Sequence, residues 1–454
     1  MQTSETRTAD FVRARAEELS ELIRFEKSYY EEFGVKRGLR NPDGTGVMAG
    51  MTRLGNVRGY YMQDGERVAA PGVLTYRGID LAKLVNGFLT EGRPGFEEVS
   101  YLLLFGRLPS RGELEEFCTI LASYRALPHG FTEDMILAAP SRNIMNKLSR
   151  SVLALYSYDP DPETFGRELT LEIDKALRLT ARAPIIVAYA YGAKRHYFEN
   201  QSLHLRRPDP ALTTAENFLR LVLRTGEYTP EEARLLDLCL VLHAEHGGGN
   251  NSAFACRVLS SAGTDIYSAI SAAAGSLKGP LHGGANERVM DMLEHIGRGV
   301  RDWSDDDELR AYLRKILDGE AGAGDGKLYG MGHAIYTLSD PRALLLRETA
   351  RELAAAKDLG AEFGLIESVE RLAPEVFGET GRPKTLCANV DLYSGFVYRM
   401  LGIPRELYTP LFAVSRVPGW CAHRQEELWG SEKIIRPAYK AIAPETEYIA
   451  LDAR

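Results

Sequence analysis

Apolar residues recur at three- and four-residue intervals along most of this chain, the spacing that lines one face of an α-helix. FEEVSYLLLFGRLPSRGELEEFCTILASYR predicts two helices, the first ended by Gly106 and Pro109. Ser110 caps the second, and Glu113 three residues on completes a capping box. SRNIMNKLSRSVLALYSYD and PETFGRELTLEIDKALRLTARAPIIVAYAYGAKR keep the helical rhythm until a loop at 197–212, broken by Pro208 and Pro210. Thr229-Pro230-Glu231-Glu232 is a helix start: a cap, a proline at the first position and acids facing the dipole. That helix is predicted to run through LLDLCLVLHAEH and stop at Gly247-Gly248-Gly249.

The rest of the pattern varies this theme. Thr8 to Tyr30 reads as a charged helical arm, whereas residues 36–75 are rich in Gly, Asn and Asp, with strand-like runs such as RGYYMQ that predict small hairpins. ACRVLSSAG and IYSAISAAAGSLKG carry small residues that let helix backbones approach closely, in a tight pair or at a subunit interface. DELRAYLRKIL, PRALLLRETARELAAA and GLIESVERLAPEVF are again helical. There is no alternating strand–helix rhythm and no internal repeat. The expectation is an all-α fold with a few short N-terminal strands.

Composition narrows the partners. The 454 residues, 44% hydrophobic and 26% charged, are those of an ordinary globular protein long enough for two or three domains. A net charge of −8 argues against nucleic acid or an anionic membrane as the main partner. Five scattered cysteines without a CxxC pair read as buried thiols in a reducing compartment. The N-terminus has no apolar signal core, and no apolar run reaches membrane-spanning length. A cytoplasmic protein is expected.

Against this background a few polar residues stand out. In SAISAAAGSLKGPLHGGANERVMDML, His282 lies between a proline and paired glycines that permit close backbone approach of a ligand. His246 in HAEHGGGN and His333 in YGMGHAIY also fall in glycine-rich breaks. One such histidine is ordinarily structural, but three at helix ends can converge on a cleft. His243 and His246 share a helix face, yet the His-Glu-x-x-His pattern of a zinc site is absent, and no metal is expected. The tract GEAGAGDGKLYGMGH is not a P-loop, because Ala321 and Leu328 occupy places that need Gly and Ser or Thr.

Arg342 follows the Asp340-Pro341 helix start, while Arg416 in AVSRVPGW and Arg436 in IIRPAY are flanked by apolar residues. Each by itself reads as a partner in an internal salt bridge. Together with the loop histidines they point to a small polycarboxylate gripped by bidentate pairs. Asp391, an acid in the apolar stretch LCANVDLYSGFVYRML, is either the cap of the following helix or a desolvated general base, and the two roles are compatible.

Taken in order, HAEHGGGNNSAF, GPLHGGAN, GMGHAIYTLSDPRA, NVDLYSGFVYRMLGIP, AVSRVPGW and IIRPAY resemble the signature blocks of the citrate synthase family. TYRGIDL and FEEVSYLLLFGRLP resemble its N-terminal part, so the likeness spans residues 70–440. The resemblance implies an all-α homodimer. Its large domain would comprise 1–285, with an N-terminal arm at 1–35, and 396–454; a small domain, 286–395, would close over the substrates. It implies condensation of acetyl-CoA with oxaloacetate and hydrolysis of citryl-CoA to citrate and CoA, with no metal or tightly bound cofactor. Carried over by position, His282 would polarise the thioester carbonyl, Asp391 remove a methyl proton and His333 donate to the ketone of oxaloacetate. His246, Arg342 and Arg416 would hold the carboxylates, with Arg436 reaching in from the partner subunit.

The chain departs from the family at Ala334 and Thr337, where many members carry a basic residue for the CoA phosphates, and at Ala388, where the family has proline. Lys327 and Lys384 are the candidate substitutes for phosphate binding. Three other readings compete with citrate synthase: 2-methylcitrate synthase acting on propionyl-CoA, citryl-CoA cleavage, and a non-catalytic metabolite-binding paralogue. The first differs by one methylene in a hydrophobic pocket, a discrimination of only ~1–3 kcal/mol. The last is disfavoured by the presence of His282, His333 and Asp391 together.

Overall fold

Several helix starts in this protein sit where their side-chain caps put them. Ser110 and Glu113 form the expected box at the head of the Arg111–Tyr124 helix. Thr229 and Glu232 do the same for Pro230–His243, with Pro230 in the first turn, and Thr213 with Glu216 adds a third box at Thr214–Val222. The computed structural model describes residues 4–453 apart from 23, 25, 42, 164–167, 382–385 and 432. The chain divides into two compact units, Gly50–Ile435 and a second made of Met1–Ala49 with Arg436–Arg454.

In the smaller unit the expected N-terminal arm is two helices, Ser4–Leu22 and Lys27–Glu32. Arg40 and Gly46 pair in an isolated bridge, and Lys440 lies 5.5 Å from the Phe33 ring centroid. Large apolar side chains here stay exposed, Met48, Tyr439 and Tyr448 among them.

The larger unit opens with the hairpins read from residues 36–75. Strands Gly55–Gln63, Glu66–Tyr76 and Ile79–Asp80 form an antiparallel meander in that order. Gln63 pairs with Glu66 across Asp64-Gly65, both at positive φ (52° and 85°), the geometry of a two-residue turn that matches strand twist. The remainder is helical. The Tyr408–Gly430 helix is buried on nearly all sides and packs against Leu169–Glu199, Asn251–Ser261 and Ile266–Lys278. It runs through Pro418, and Leu169–Glu199 likewise runs through Pro184.

Buried ion pairs and hydroxyls fasten these helices. Arg424 grips Glu172 with two hydrogen bonds, 3.0 and 2.9 Å, both side chains fully buried. Removing either partner would strand the other charge in the core. The small-residue helix Ile266–Lys278 forms the expected close pair with Ile144–Ala154. Ser149 Oγ donates to the Ser271 carbonyl and Ser271 Oγ to the Ser149 carbonyl, each at 2.9 Å.

Two boundaries differ from expectation. The Leu169–Glu199 helix extends into the expected loop and ends only at Asn200, in the left-handed region at φ 54°. The Pro230–His243 helix stops short of the glycines. Glu245 turns its carboxylate onto the Gly247 N–H and His423, which takes the chain out of the helical path before Gly247-Gly248-Gly249.

Candidate active site

His282 sits in the turn between the Ile266–Lys278 and Ala285–Gly299 helices. The Gly279 carbonyl accepts from the N–H groups of His282 and Gly283, at 2.9 and 3.0 Å, closing the turn. Thr409 Oγ1, at the head of the buried helix, pins it by donating to the Gly283 carbonyl at 2.8 Å. A Cβ at Gly283 would lie 2.0 Å from the Leu277 carbonyl oxygen, so the packing admits no side chain there.

The contacts of the His282 ring fix its tautomer. The backbone N–H of Ser252 donates to Nε2 at 3.3 Å. Ser252 Oγ, 3.1 Å from the same nitrogen, is engaged with Asn250 Oδ1 at 2.8 Å and receives Trp420 Nε1–H at 3.2 Å. Nε2 is therefore an acceptor, and the single proton of the neutral ring resides on Nδ1. Burial, then the charge of Arg416, pushes the His282 pKa down to about 4, so the imidazole is uncharged at neutral pH.

His333 and Asp391 are carried by two segments zipped together. Gly332 N–H donates to the Cys387 carbonyl at 2.7 Å, Asn389 N–H to the Gly330 carbonyl at 2.9 Å, and Met331 bridges Ala388. The Asn389 side chain completes the join, donating from Nδ2 to the Gly332 carbonyl and accepting the Asp391 N–H on Oδ1 at 3.0 Å. Asn389, rather than Asp391, thus serves the start of the Asp391–Met400 helix, which leaves the Asp391 carboxylate for other work. Burial pushes that carboxyl up to about 6, moderated by Arg342, raised further by Asp340 and moderated again by Arg416. His333 Nδ1 accepts from the N–H groups of Ile335 and Tyr336, at 3.1 and 3.2 Å, so its proton is on Nε2.

Three of the expected anion ligands meet beside this pair. His246 lies edge-on to His333, with ring centroids 5.1 Å apart, and His333 stacks on Tyr336 at 4.7 Å. Arg342, in the first turn of the Pro341–Ala356 helix, is held by Asp340 through bonds of 3.0 Å at Nε and 2.7 Å at an amino group. Arg416 gives its Nε–H to the His243 carbonyl at 2.9 Å, yet both its amino groups are buried with no hydrogen-bond partner among the described residues. His246 Nε2 and both ring nitrogens of His243 are also unpartnered. Burial, and after it Arg342, push the pKa values of both histidines well down, with Arg416 acting on both. A buried unpaired donor costs about 1–3 kcal/mol, and a carboxylate bound among these groups would remove that cost.

Comparisons with known proteins identify the family. A family model described as the citrate synthase C-terminal domain matches residues 43–438. The chain belongs to the citrate synthase family. The citrate synthase of Synechocystis is 35% identical over 397 residues, covering 86% of this chain and 88% of its own. That of Haloferax volcanii is 36% identical, covering 89% and 94%. Among solved structures, citrate synthase from Pyrobaculum aerophilum superposes with a TM-score of 0.71 at 33% identity, covering 89% of this chain and 93% of its own. The ternary complex of the Thermoplasma acidophilum citrate synthase with carboxymethyl coenzyme A and oxaloacetate gives 0.72 at 27% identity, covering 89% and 97%.

Not every expected residue joins the cluster. Arg436 lies in the other unit and is exposed. Lys327 is exposed and pairs with Asp325 at 3.6 Å. Lys384 lies outside the described residues. Conversely, Ser252, Tyr336 and Asp340 bear on the site without having been singled out for it. Asp340 reads in sequence only as a helix cap, and a serine or tyrosine carries no signal until its neighbours are known. His243 carries one signal in sequence, its three-residue spacing from His246, which by itself reads as a metal motif.

Proposed function

We infer that the protein condenses acetyl-CoA with oxaloacetate and hydrolyses the resulting citryl-CoA, releasing citrate and CoA. The observation that carries this is a neutral His282 protonated on Nδ1 together with an Asp391 carboxyl raised to about 6, both acted on by the charge of Arg416.

The chemistry follows from those states. At neutral pH Asp391 is ionised yet basic enough to take a proton from the acetyl methyl group. His282 Nδ1–H donates to the thioester oxygen as negative charge builds there, and an uncharged donor matched to an enol suits this better than an imidazolium. The enol carbon forms a bond to the ketone carbon of oxaloacetate, whose oxygen receives a proton through His333 Nε2. His246, Arg342 and Arg416 hold the carboxylates and fix the direction of attack. Water then cleaves the thioester, giving citrate and the CoA thiol.

Residues 286–395 would form a small domain that closes over the substrates and keeps water out until the carbon–carbon bond has formed. The reading is supported by how the site is shared, with His333, Arg342 and Asp391 in that segment and His246, His282 and Arg416 outside it. The working form would be a cytoplasmic homodimer in which Arg436 completes the partner's site. Lys327 remains the described candidate for a CoA phosphate contact. The relatives named above are citrate synthases, which favours acetyl-CoA over propionyl-CoA.

The test is release of free thiol from purified protein with oxaloacetate and acetyl-, propionyl- or butyryl-CoA. Turnover is expected to be best with acetyl-CoA. An absence of thiol with all three would refute the assignment.

A further inference from the structure

Between His243 and the proposed oxaloacetate ligand His246 lies an acid that the proposed mechanism does not use. Glu245 is only 1% exposed, and the Nε2 of His423, fully buried, lies 2.9 and 3.0 Å from its two carboxylate oxygens. The state of His423 is set from behind. Arg257 donates from Nε to His423 Nδ1 at 3.1 Å, with an amino group 2.8 Å away, so Nδ1 is an acceptor and Nε2 carries the proton to Glu245. Arg257 is itself fixed by Glu427 at 2.8 Å and by Glu426.

The packing around Glu245 is shaped for it. A Cβ at Gly55 would come within 2.8 Å of Glu245 Oε1, and one at Gly419 within 2.3 Å of the Ala244 carbonyl and 3.0 Å of Glu245 Oε2. Gly247 N–H donates to Oε1 at 2.5 Å, and the chain then turns with Gly247 at φ 80°. Segment 243–247 is thus docked on the Tyr408–Gly430 helix at two points, His243 O to Arg416 Nε and Glu245 to His423.

Among the described residues Arg416 has no carboxylate hydrogen-bonded to it, and its amino groups have no hydrogen-bond partner. Burial and the neighbouring Arg342 weigh against its charge, and Glu245 is the first carboxylate acting in its favour. We propose that Glu245, oriented by the Arg257–His423 relay, is a positioning residue for oxaloacetate binding. It sets His246 in the pocket and supplies the buried counter-charge to Arg416. This rests on the reading of His246 and Arg416 as oxaloacetate ligands.

Steady-state kinetics with acetyl-CoA and oxaloacetate test it. Wild-type thiol release comes first, and its absence would remove the underlying reading rather than this one alone. With activity present, Glu245→Gln is expected to raise the KM for oxaloacetate roughly 10- to 100-fold, the size of one charge-assisted hydrogen bond, while kcat changes by less than about threefold. The KM for acetyl-CoA should stay put. His423→Leu should shift the oxaloacetate KM in the same direction. His423→Gln, whose amide can accept from Arg257 and donate to Glu245, should recover most of the loss. The proposal is overturned by an unchanged oxaloacetate KM in Glu245→Gln, or by kcat, both KM values and thermal stability falling in parallel. Equivalence of Leu and Gln at position 423 would overturn it too. If Glu245→Gln does not fold, the position-423 pair decides.

Discussion

The backbone N–H of Ser252 points at Nε2 of His282 from 3.3 Å, and that contact leaves Nδ1 as the nitrogen that carries the proton. Nitrogen NMR of labelled protein should therefore find His282 neutral and Nδ1-protonated from pH 5 to pH 9, titrating near 4. Asparagine places an amide nitrogen close to the Nδ1 position, whereas glutamine mimics Nε2. His282→Asn should accordingly keep more activity than His282→Gln, and His282→Ala should lose about 10²–10³ in kcat, the worth of one donor to a developing oxyanion. Equal losses in the Asn and Gln variants would contradict the tautomer.

Asp391 should impose the acid limb of the rate profile. With its carboxyl pushed up to about 6, kcat should fall as pH drops through that value, and Asp391→Asn should lose about 10²–10⁴ in kcat at pH 7 and above, the deficit shrinking as pH falls below 6. The same shift predicts that the neutral Asn variant gains stability at neutral pH. The folded-state pKa lies above the ordinary carboxylate value of about 4, so the unfolded chain ionises first as pH rises. Stability contributed by this group is then lost between pH 4 and pH 6 and stays lost above. Asp391→Asn should melt higher than wild type at pH 7 and alike below pH 4; the reverse order in thermal unfolding would show the carboxylate to be favourably held.

The unpaired amino groups of Arg416 predict a ligand-dependent melting point. Oxaloacetate should raise the Tm of the wild type in a concentration-dependent way and leave Arg416→Met nearly unmoved. That variant should also show an oxaloacetate KM at least about 100-fold higher, since one of the bidentate partners is gone. Stabilisation of Arg416→Met equal to that of the wild type would place the dicarboxylate elsewhere.

Arg436 is exposed, and its proposed role is to complete the site of the partner subunit. Subunits carrying Arg436→Ala and subunits carrying His333→Ala, each nearly inactive by itself, should regain activity when co-expressed. A mixed dimer then holds one site free of both substitutions. Failure of complementation, with mixed dimers present by mass spectrometry, would count against the shared site.

The elements that could be read directly from sequence are those decided by hydrogen bonds within a few residues. Ser110 with Glu113 and Thr229 with Glu232 reach only three positions, so their helices begin where the letters place them. His282, His333 and His246 could be singled out for a similar reason, because the glycines that expose them are adjacent. The end of the Pro230–His243 helix is not legible in sequence, because Glu245 just beyond it is bonded to His423, 178 positions away.

What only the tertiary structure decided is the electrical state of the site. Arg342 and Arg416 both read in sequence as partners in internal salt bridges, yet among the described residues one is paired with Asp340 two residues away and the other hydrogen-bonds only a carbonyl 173 positions off. The raised Asp391, the lowered His282 and the proton on Nδ1 rather than Nε2 are sums of burial and charge over helices far apart in the chain. Sequence determined which groups are present and where the backbone turns to expose them. Desolvation and charge are properties of what surrounds a group in space, and that surrounding exists only once the helices have packed.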